Sequence, residues 1–360
     1  MPEIKPEIET FARIKVIGIG GSGCNAVSRM VQKRIKGVEF IGINTDAQAL
    51  HFCKAKHKIL IGKQTTKGLG AGMNVELGKK AAEESKGEIE SALKGADLVF
   101  ITCGLGGGTG TPGAPIVAEI SKSLGALTIG VVTKPFSFEG KKRMEIAEKG
   151  YQELKDKVDS LILISNDKIL SIVDEKTSLL KAFEICDSVL AEGVQAISDL
   201  IVKPGIINLD FADIKTILKD SGLSLMGVGR GRGEKRMEEA VKKAINSPLL
   251  DLSIEGAKGV LISFAGGEDL KMKEVELGAK LITQNVDPEA KIIFGATLDD
   301  TLKKEEVKVT VIGAGFEEKE NFSKETKEKE ENNISNLFEE EKEEEFKTWE
   351  IPAFLRRRQK

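Results

Sequence analysis

Leu98-Val99-Phe100-Ile101-Thr102-Cys103-Gly104-Leu105-Gly106-Gly107-Gly108-Thr109-Gly110-Thr111 is the stretch on which the reading of this chain turns. The run 98 to 103 is apolar or β-branched with no in-out alternation, as in a strand buried on both faces of a parallel sheet. Five glycines then fall within eight residues, ahead of a helix opened by Pro112. Three of them are consecutive, which is entropically costly unless the main chain must approach something closely. Thr109 and Thr111 add hydroxyls suited to phosphate oxygens, without a P-loop lysine. The stretch reads as strand, phosphate loop and helix, with a plain structural turn as the bland alternative.

Two further glycine loops extend this. Gly18-Ile19-Gly20-Gly21-Ser22-Gly23 lies where the β-branched run 13 to 19 gives way to helical spacing over 24 to 34. A helix N-terminus there would supply oriented N–H donors and partial positive charge. The same G-x-G-x-x-G spacing also fits a dinucleotide site or a tight turn. Gly68-Leu69-Gly70-Ala71-Gly72 could close a pocket between the other two.

Strand runs at 38–43, 126–133 and 160–165 alternate with helical spacing at 73–94, 113–124 and 139–157, the rhythm of a doubly wound, mostly parallel α/β sheet. Residues 178–202 form one long amphipathic pattern with Leu179, Phe183, Leu190, Val194, Ile197 and Ile201 on one face. Pro204 and Gly205 stop it. The second half reads as helix 210–220, strand 223–229, helix 233–246, strand 258–264, helix 268–285 and strands 290–297 and 307–314, a smaller α/β domain with a mixed sheet. After Phe316 the composition of Glu, Lys, Asn and Ser cannot offset its ordering entropy, so a disordered linker is expected there, spanning roughly 30 Å as a flexible coil.

Of 360 residues, 40% are apolar and 31% charged, enough for two domains with separate cores. The net charge of -3 is unevenly spread: residues 317 to 347 carry 6 Lys against 13 Glu. The body before them is close to neutral, which argues against wrapping nucleic acid or coating an anionic membrane. No run of eighteen apolar residues offers a membrane span. Cys24, Cys53, Cys103 and Cys186 lack C-x-x-C spacing and only His51 and His57 could assist them, so zinc and disulfide frameworks are not expected. The acidic N-terminus without an apolar h-region suggests a cytoplasmic protein.

The chain resembles the bacterial FtsZ proteins, relatives of tubulin. The resemblance rests on IKVIGIGGSGCNAV (14–27), NTDAQAL (44–50), KGLGAGMN (67–74), GLGGGTGT (104–111), TKPFSFEGKKRM (133–144), NDK (166–168), INLDFADI (207–214), SPLL (247–250) and IPAFLRRR (351–358). It implies a tubulin-like fold: a flexible N-terminus (1–12), a GTP-binding domain (13–177), a central helix (178–203), an activation domain (204–316), a disordered acidic linker (317–347) and a partner-binding C-terminal peptide (348–360).

It further implies GTP/GDP held through Gly20, Gly21, Ser22, Gly23, Cys24 and Asn25 in the first loop, and through Gly104, Gly106, Gly107, Gly108, Thr109, Gly110 and Thr111 in the second, with Ala71 and Gly72 from the third. Mg2+ would be bound mainly by phosphates and water. Glu139 and Arg143 would reach the ribose, although their i,i+4 spacing alone also fits an ion pair. Asn25 and Asp187 would read guanine, whose N1–H and amino group donate to a carboxylate as adenine cannot. Phe183 would stack on the base, and Asn44, Asp46 and Asn166 would line the pocket; without the resemblance these are a core residue and turn residues.

Asn208, Asp210 and Asp213 would be catalytic, brought over the γ-phosphate of a neighbouring subunit; the alternative is helix capping. Hydrolysis would then need head-to-tail association into an open filament, the scaffold of a cell-division ring at mid-cell on the inner face of the membrane. Ile351, Pro352, Phe354, Leu355, Arg356 and Arg357 would dock on membrane-tethering division proteins such as FtsA. Pro112, Ser22, Cys24 and Ser165 depart from the family pattern, and Pro112 bears on turnover. Two competitors remain: a dinucleotide oxidoreductase, which leaves the second glycine loop unexplained, and a filament that binds GTP but barely hydrolyses it.

Overall fold

The computed structural model describes residues 12–170, 177–203, 205–207, 209–247, 254–299 and 302–316. The expected N-terminal segment (up to residue 11), Asn208, the acidic linker and the C-terminal peptide with Ile351, Pro352, Phe354, Leu355, Arg356 and Arg357 lie outside the described residues.

In chain order the elements begin with β1 (Ile14–Ile19), α1 (Gly20–Gln32), β2 (Val38–Asn44), α2 (Ala47–Phe52), β3 (His57–Leu60), α3 (Val75–Glu84), α4 (Lys86–Leu93) and β4 (Leu98–Gly104). There follow α5 (Gly110–Ser123), β5 (Leu127–Lys134), a 3-10 turn (Ser137–Glu139), α6 (Lys141–Lys155), β6 (Ser160–Ser165), α7 (Asn166–Leu170) and α8 (Leu179–Val202). The second half holds β7 (Gly205–Ile207), α9 (Phe211–Leu218), β8 (Gly222–Arg232), α10 (Arg236–Ile245), β9 (Gly259–Gly266), α11 (Met272–Thr283), β10 (Lys291–Leu298) and β11 (Glu306–Ala314).

Among the described residues the strands form one 11-stranded sheet in the order β3-β2-β1-β4-β5-β6-β8-β11-β9-β10-β7. The first six strands are parallel, and their 3-2-1-4-5-6 order reverses direction between β1 and β4. In open α/β sheets that switch point is where a crevice opens beyond the strand C-termini. Side-chain alternation sends Ile14 and Val16 of β1 into the core shared with α1 and α8, and Ile17 and Ile19 into the opposite core under α3 to α6. β8 joins β6 in parallel through Ser160↔Gly222 to Ile162↔Ser224, so the mixed half continues the parallel half. A third core gathers around Val260, Ile262, Phe264, Val309 and Val311.

Three boundaries differ from the sequence reading for identifiable reasons. Helix α1 starts at Gly20, four residues early, because the loop glycines themselves form its first turn. The segment 73–94 breaks into two helices at Ser85, whose hydroxyl accepts the Gly62 N–H at 3.1 Å. Phe183, read as part of the buried face of α8, is 40% exposed, whereas Leu190, Val194 and Ile197 are buried.

Candidate functional site

The glycine loops follow β1 and β4, the two strands flanking the switch point. Neither α1 nor α5 has a side-chain cap or an acidic residue in its first turn, so their leading N–H groups have no side-chain acceptor. The two helix starts abut: a Cβ built on Gly20 (φ +73°) would lie 3.1 Å from the Gly110 nitrogen. Their partial positive charges therefore add at one place.

The glycines divide into two kinds. Gly18 and Gly23 are packing residues: a Cβ on Gly18 would meet the Gly23 carbonyl at 2.3 Å, and one on Gly23 the Thr102 carbonyl at 2.5 Å. Gly108 packs equally tightly: a Cβ there would lie 2.4 Å from the Gly72 carbonyl, which accepts the Gly108 N–H at 2.9 Å. Gly104 faces Ser22, whose hydroxyl accepts its N–H at 2.7 Å. By contrast, a Cβ on Gly21, Gly72 or Gly107 would meet nothing within 4 Å. Packing does not explain those three.

The three loops are tied together. The Thr45 and Thr109 hydroxyls lie 2.7 Å apart, and the Gly106 N–H donates to the Thr111 hydroxyl at 2.9 Å. Gly106 takes φ +95° against Arg143. Ala71 is buried. Pro112 is the third residue of α5 rather than its first, still within the turn whose N–H groups lack intrahelical acceptors. Asp46 caps α2 by accepting the Ala49 N–H at 2.9 Å.

Around these loops lie buried polar atoms without a hydrogen-bond partner: Asn44 Nδ2, Asn166 Oδ1, Arg143 Nε and Arg29 Nε. Thr102 Oγ1 and, toward the far end of α8, Ser198 Oγ are orphaned as well; buried polar groups are normally satisfied, so the four around the loops are consistent with a polar ligand there. Glu139 pairs with Arg143 at 3.0 Å and also accepts the Phe136 N–H at 2.8 Å. Phe136 stacks on Phe138 (centroids 4.9 Å apart) and meets Phe183 edge-on at 5.3 Å. Asp187, on α8 one turn beyond Phe183, faces Arg29 of α1 at only 3.8 Å. Burial, with Glu184 adding to it, raises its carboxyl to about 6 against the pull of Arg29. Asn25 is exposed one turn before Arg29. Arg29 escaped the sequence reading, its i,i+4 spacing from Asn25 being the signal, whereas Thr45 lies within the stretch from Asn44 to Asp46 expected to line the pocket.

Asp210 and Asp213 are elsewhere. Leu200, in the last turns of α8, and Leu209 both pack at Gly295, which puts Asp210 beside the C-terminal end of that helix. At 1.5 Å per residue, Leu200 lies about 20 Å along α8 from Asp187. Asp210 is the N-cap of α9, its N–H bonded to the Asp213 carboxylate at 3.3 Å, and both side chains are exposed. In one chain they do not meet the glycine loops.

The chain matches the family model for the GTPase domain of the Tubulin/FtsZ family over residues 13–174, and that for the C-terminal domain of the FtsZ family over 222–317. It is similar to the FtsZ dimer of M. jannaschii, solved empty, at 48% identity and a TM-score of 0.82, covering 85% of this chain and 89% of that one. The chain belongs to the FtsZ family. It is accordingly a GTPase that binds GTP and GDP. CetZ1 from Haloferax volcanii, a GDP-bound monomer, shares the fold at 24% identity and a TM-score of 0.73, with 85% of this chain and 94% of that one covered. Among the described residues no helix is long and apolar enough to cross a membrane.

Proposed function

We propose that this FtsZ-family GTPase assembles head to tail into filaments that scaffold the cell-division ring, with GTP held at one end of each subunit and hydrolysed only when the next subunit supplies Asp210 and Asp213. The observation that carries the reading is the separation of the two halves of the chemistry: uncapped helix starts with orphaned polar atoms at one end of α8, exposed carboxylates at the other. An M. jannaschii FtsZ of the same fold forms a dimer.

The amides of Gly20 to Asn25 and of Gly104 to Thr111 take the phosphates, with Ala71 and Gly72 closing over them. Asn44, Asp46 and Asn166 line the pocket, Glu139 and Arg143 take the ribose, and Phe183 lies against the base. Asp187 accepts from guanine N1–H and the amino group, donors that compensate a carboxylate now poorly paired. Loop hydroxyls and carbonyls around Thr45 and Thr109 suit a hard cation bound mainly through phosphates and water, so Mg2+ fits there and supplies charge neutralisation on the phosphoryl oxygens. Asp213, with Asp210 and Asn208, orients or deprotonates the attacking water across the interface. In domain terms, 13–177 binds nucleotide, 178–203 spans the body and 204–316 activates the neighbour. Residues 317–347 tether the peptide 348–360, which docks on membrane-tethering proteins such as FtsA, keeping the filament on the cytoplasmic face at mid-cell.

The test is phosphate release from GTP with Mg2+ against protein concentration, with light scattering on the same samples and ATP as control. Specific activity that rises above a threshold together with scattering supports the shared site. Flat activity per molecule from dilute to concentrated protein means each chain carries a whole site and removes the role of Asp210 and Asp213.

A further inference from the structure

The Cys24 and Cys53 side chains meet behind the first glycine loop, and the GTPase cycle, which uses only the amide of Cys24, gives their thiols no task. Cys24 lies on α1 between Gly23 and Asn25, and Cys53 closes the C-terminus of α2; both are free thiols. The bare backbone of Gly42 in β2 brings them together: a Cβ there would lie 2.8 Å from Cys53 Sγ and 3.6 Å from Cys24 Sγ. The Cys53 thiol also donates to the Cys24 carbonyl at 3.6 Å, an oxygen that accepts the Ser28 hydroxyl at 2.7 Å, and Ser28 Oγ lies 3.7 Å from Cys53 Sγ. The Cys24 thiol donates to the Gly18 and Ile43 carbonyls at 3.8 Å.

These contacts make the pair asymmetric. The Cys24 thiol, the backbone at Ala55, the Ser28 hydroxyl and the charge of Lys58 hold Cys53 below the usual thiol range, against the opposing effect of burial. Cys24, which keeps its proton to donate it, is raised. Cys103 and Cys186 are both pushed up to about 12, chiefly by burial. A thiolate-prone sulfur beside a proton-bearing one is the arrangement of an attacking and a resolving cysteine.

We propose that Cys24 and Cys53 form a peroxide-reactive dithiol site, and that its oxidation to an intramolecular disulfide deforms the first glycine loop and slows GTP turnover. The second half of this statement rests on the nucleotide site proposed above; the first does not. Cys53, 5% exposed, admits a small oxidant such as hydrogen peroxide better than a bulky disulfide. Its thiolate attacks one peroxide oxygen, the O–O bond breaks, and the departing hydroxide takes up the proton Cys53 had released, giving water and a sulfenic acid. The Cys24 sulfur then attacks the Cys53 sulfur, the S–O bond breaks, and the hydroxyl leaves with the Cys24 proton as a second water. Two thiols lose two electrons and two protons, and one peroxide becomes two waters.

A disulfide requires the sulfurs to approach to about 2.05 Å, inside van der Waals contact. Cys24, Cys53 or both must therefore move, and on the Cys24 side its neighbour Gly23 has no slack against the Thr102 carbonyl. Strain passes directly into the turn of α1 that carries Gly20 to Asn25.

The experiment treats the full-length protein, freed of reductant, with hydrogen peroxide. It reads intact mass, peptide connectivity, GTP affinity and phosphate release. Expected are a loss of about 2 Da, one peptide joining Cys24 to Cys53, turnover lowered several-fold and recovery with dithiothreitol. Cys53→Ser, with Cys53→Ala in reserve should it not fold, keeps basal turnover under reductant and no longer responds to peroxide through this bond. No 24–53 peptide, or a sulfinic acid on Cys53 in its place, overturns the proposal. A 24–53 bond that forms while turnover holds overturns the coupling. GTP affinity of the reduced protein, measured alongside, tests the nucleotide site separately.

Discussion

Helix starts near opposite ends of α8 solve the same problem in opposite ways. At α9 the first turn is self-sufficient: Asp213 accepts the Asp210 N–H and the exposed carboxylates remain solvated. At α1 and α5 the caps are absent, glycines face empty space, and buried side-chain atoms nearby lack partners. Uncapped helix starts that converge leave their N–H groups to water or to an anion, and their summed partial charge favours the anion. The region of α1 and α5 has room for a ligand, and that of α9 offers carboxylates with no ligand of their own.

The largest expected effect separates the two regions. Asp213→Ala lowers assembly-dependent phosphate release by about 10²- to 10⁴-fold, the range for removing a general base, while GTP affinity of dilute protein stays unchanged. Mixing this variant with a binding-defective one restores part of the activity, because some interfaces then pair an intact pocket with an intact Asp213. Mixtures as inactive as their components would mean that both halves act within one chain.

Next come the glycines. Gly23→Ala forces a Cβ to 2.5 Å from the Thr102 carbonyl, an overpacking cost of about 1–3 kcal/mol or more in unfolding free energy. Gly107→Ala meets nothing, so stability holds within about 0.5 kcal/mol while GTP affinity falls about tenfold or more, the methyl occupying phosphate space at a cost of over 1.4 kcal/mol. Equal affinity in wild type and Gly107→Ala would show that this glycine faces only water.

How far the sequence reveals this depends on which residues are considered. LVFITC and RIKVIGI disclose their parallel strands because β-branched and apolar residues dominate them, with Lys15 the one charge inside β1, and G-L-G-G-G-T-G-T discloses its loop because glycine runs have few other uses. Which glycine packs and which faces a ligand is invisible in the string, since Gly23 and Gly107 differ only in what folds against them. Short elements such as β3, α2 and β7 carry too few residues for a period to register. Arg29 and Asp187 are adjacent only because α1 packs on α8. That the mixed half extends the same sheet depends on three residue pairs between β6 and β8, which no local pattern encodes.

Asp187 sharpens the contrast through pH. Its folded-state carboxyl, raised to about 6 chiefly by burial, stabilises the nucleotide-free fold fully below about pH 4, and that contribution is lost as pH rises through 6. Asp187→Asn should therefore make the nucleotide-free protein more stable at pH 8, by up to about 3 kcal/mol, with the difference vanishing as pH falls toward 4. Guanine affinity moves the other way: it drops about 100-fold in the variant, the scale of about 3 kcal/mol for unpaired polar groups. In the wild type it weakens by about tenfold per pH unit below 6. Thermal melts and nucleotide titrations across pH check both signs; wild-type stability rising relative to the variant between pH 5 and 8 would mean that Arg29 outweighs burial.

The smallest effect tests the aromatic edge of the pocket. Phe183 is 40% exposed and touches Phe136 only edge-on, so as a core residue it is poorly employed. Phe183→Ala should cost about 0.5–1.5 kcal/mol of stability from the lost ring pair and about 1–3 kcal/mol of nucleotide affinity from lost stacking. Because every base has a π-face, the affinity loss should be similar for GTP and for a weakly bound ATP, whereas Asp187→Asn should narrow the gap between them. The two variants thus divide binding strength from base choice. If Phe183→Ala changed the GTP-to-ATP ratio and Asp187→Asn did not, the base would lie against different residues, and α8 would serve the pocket as scaffold alone.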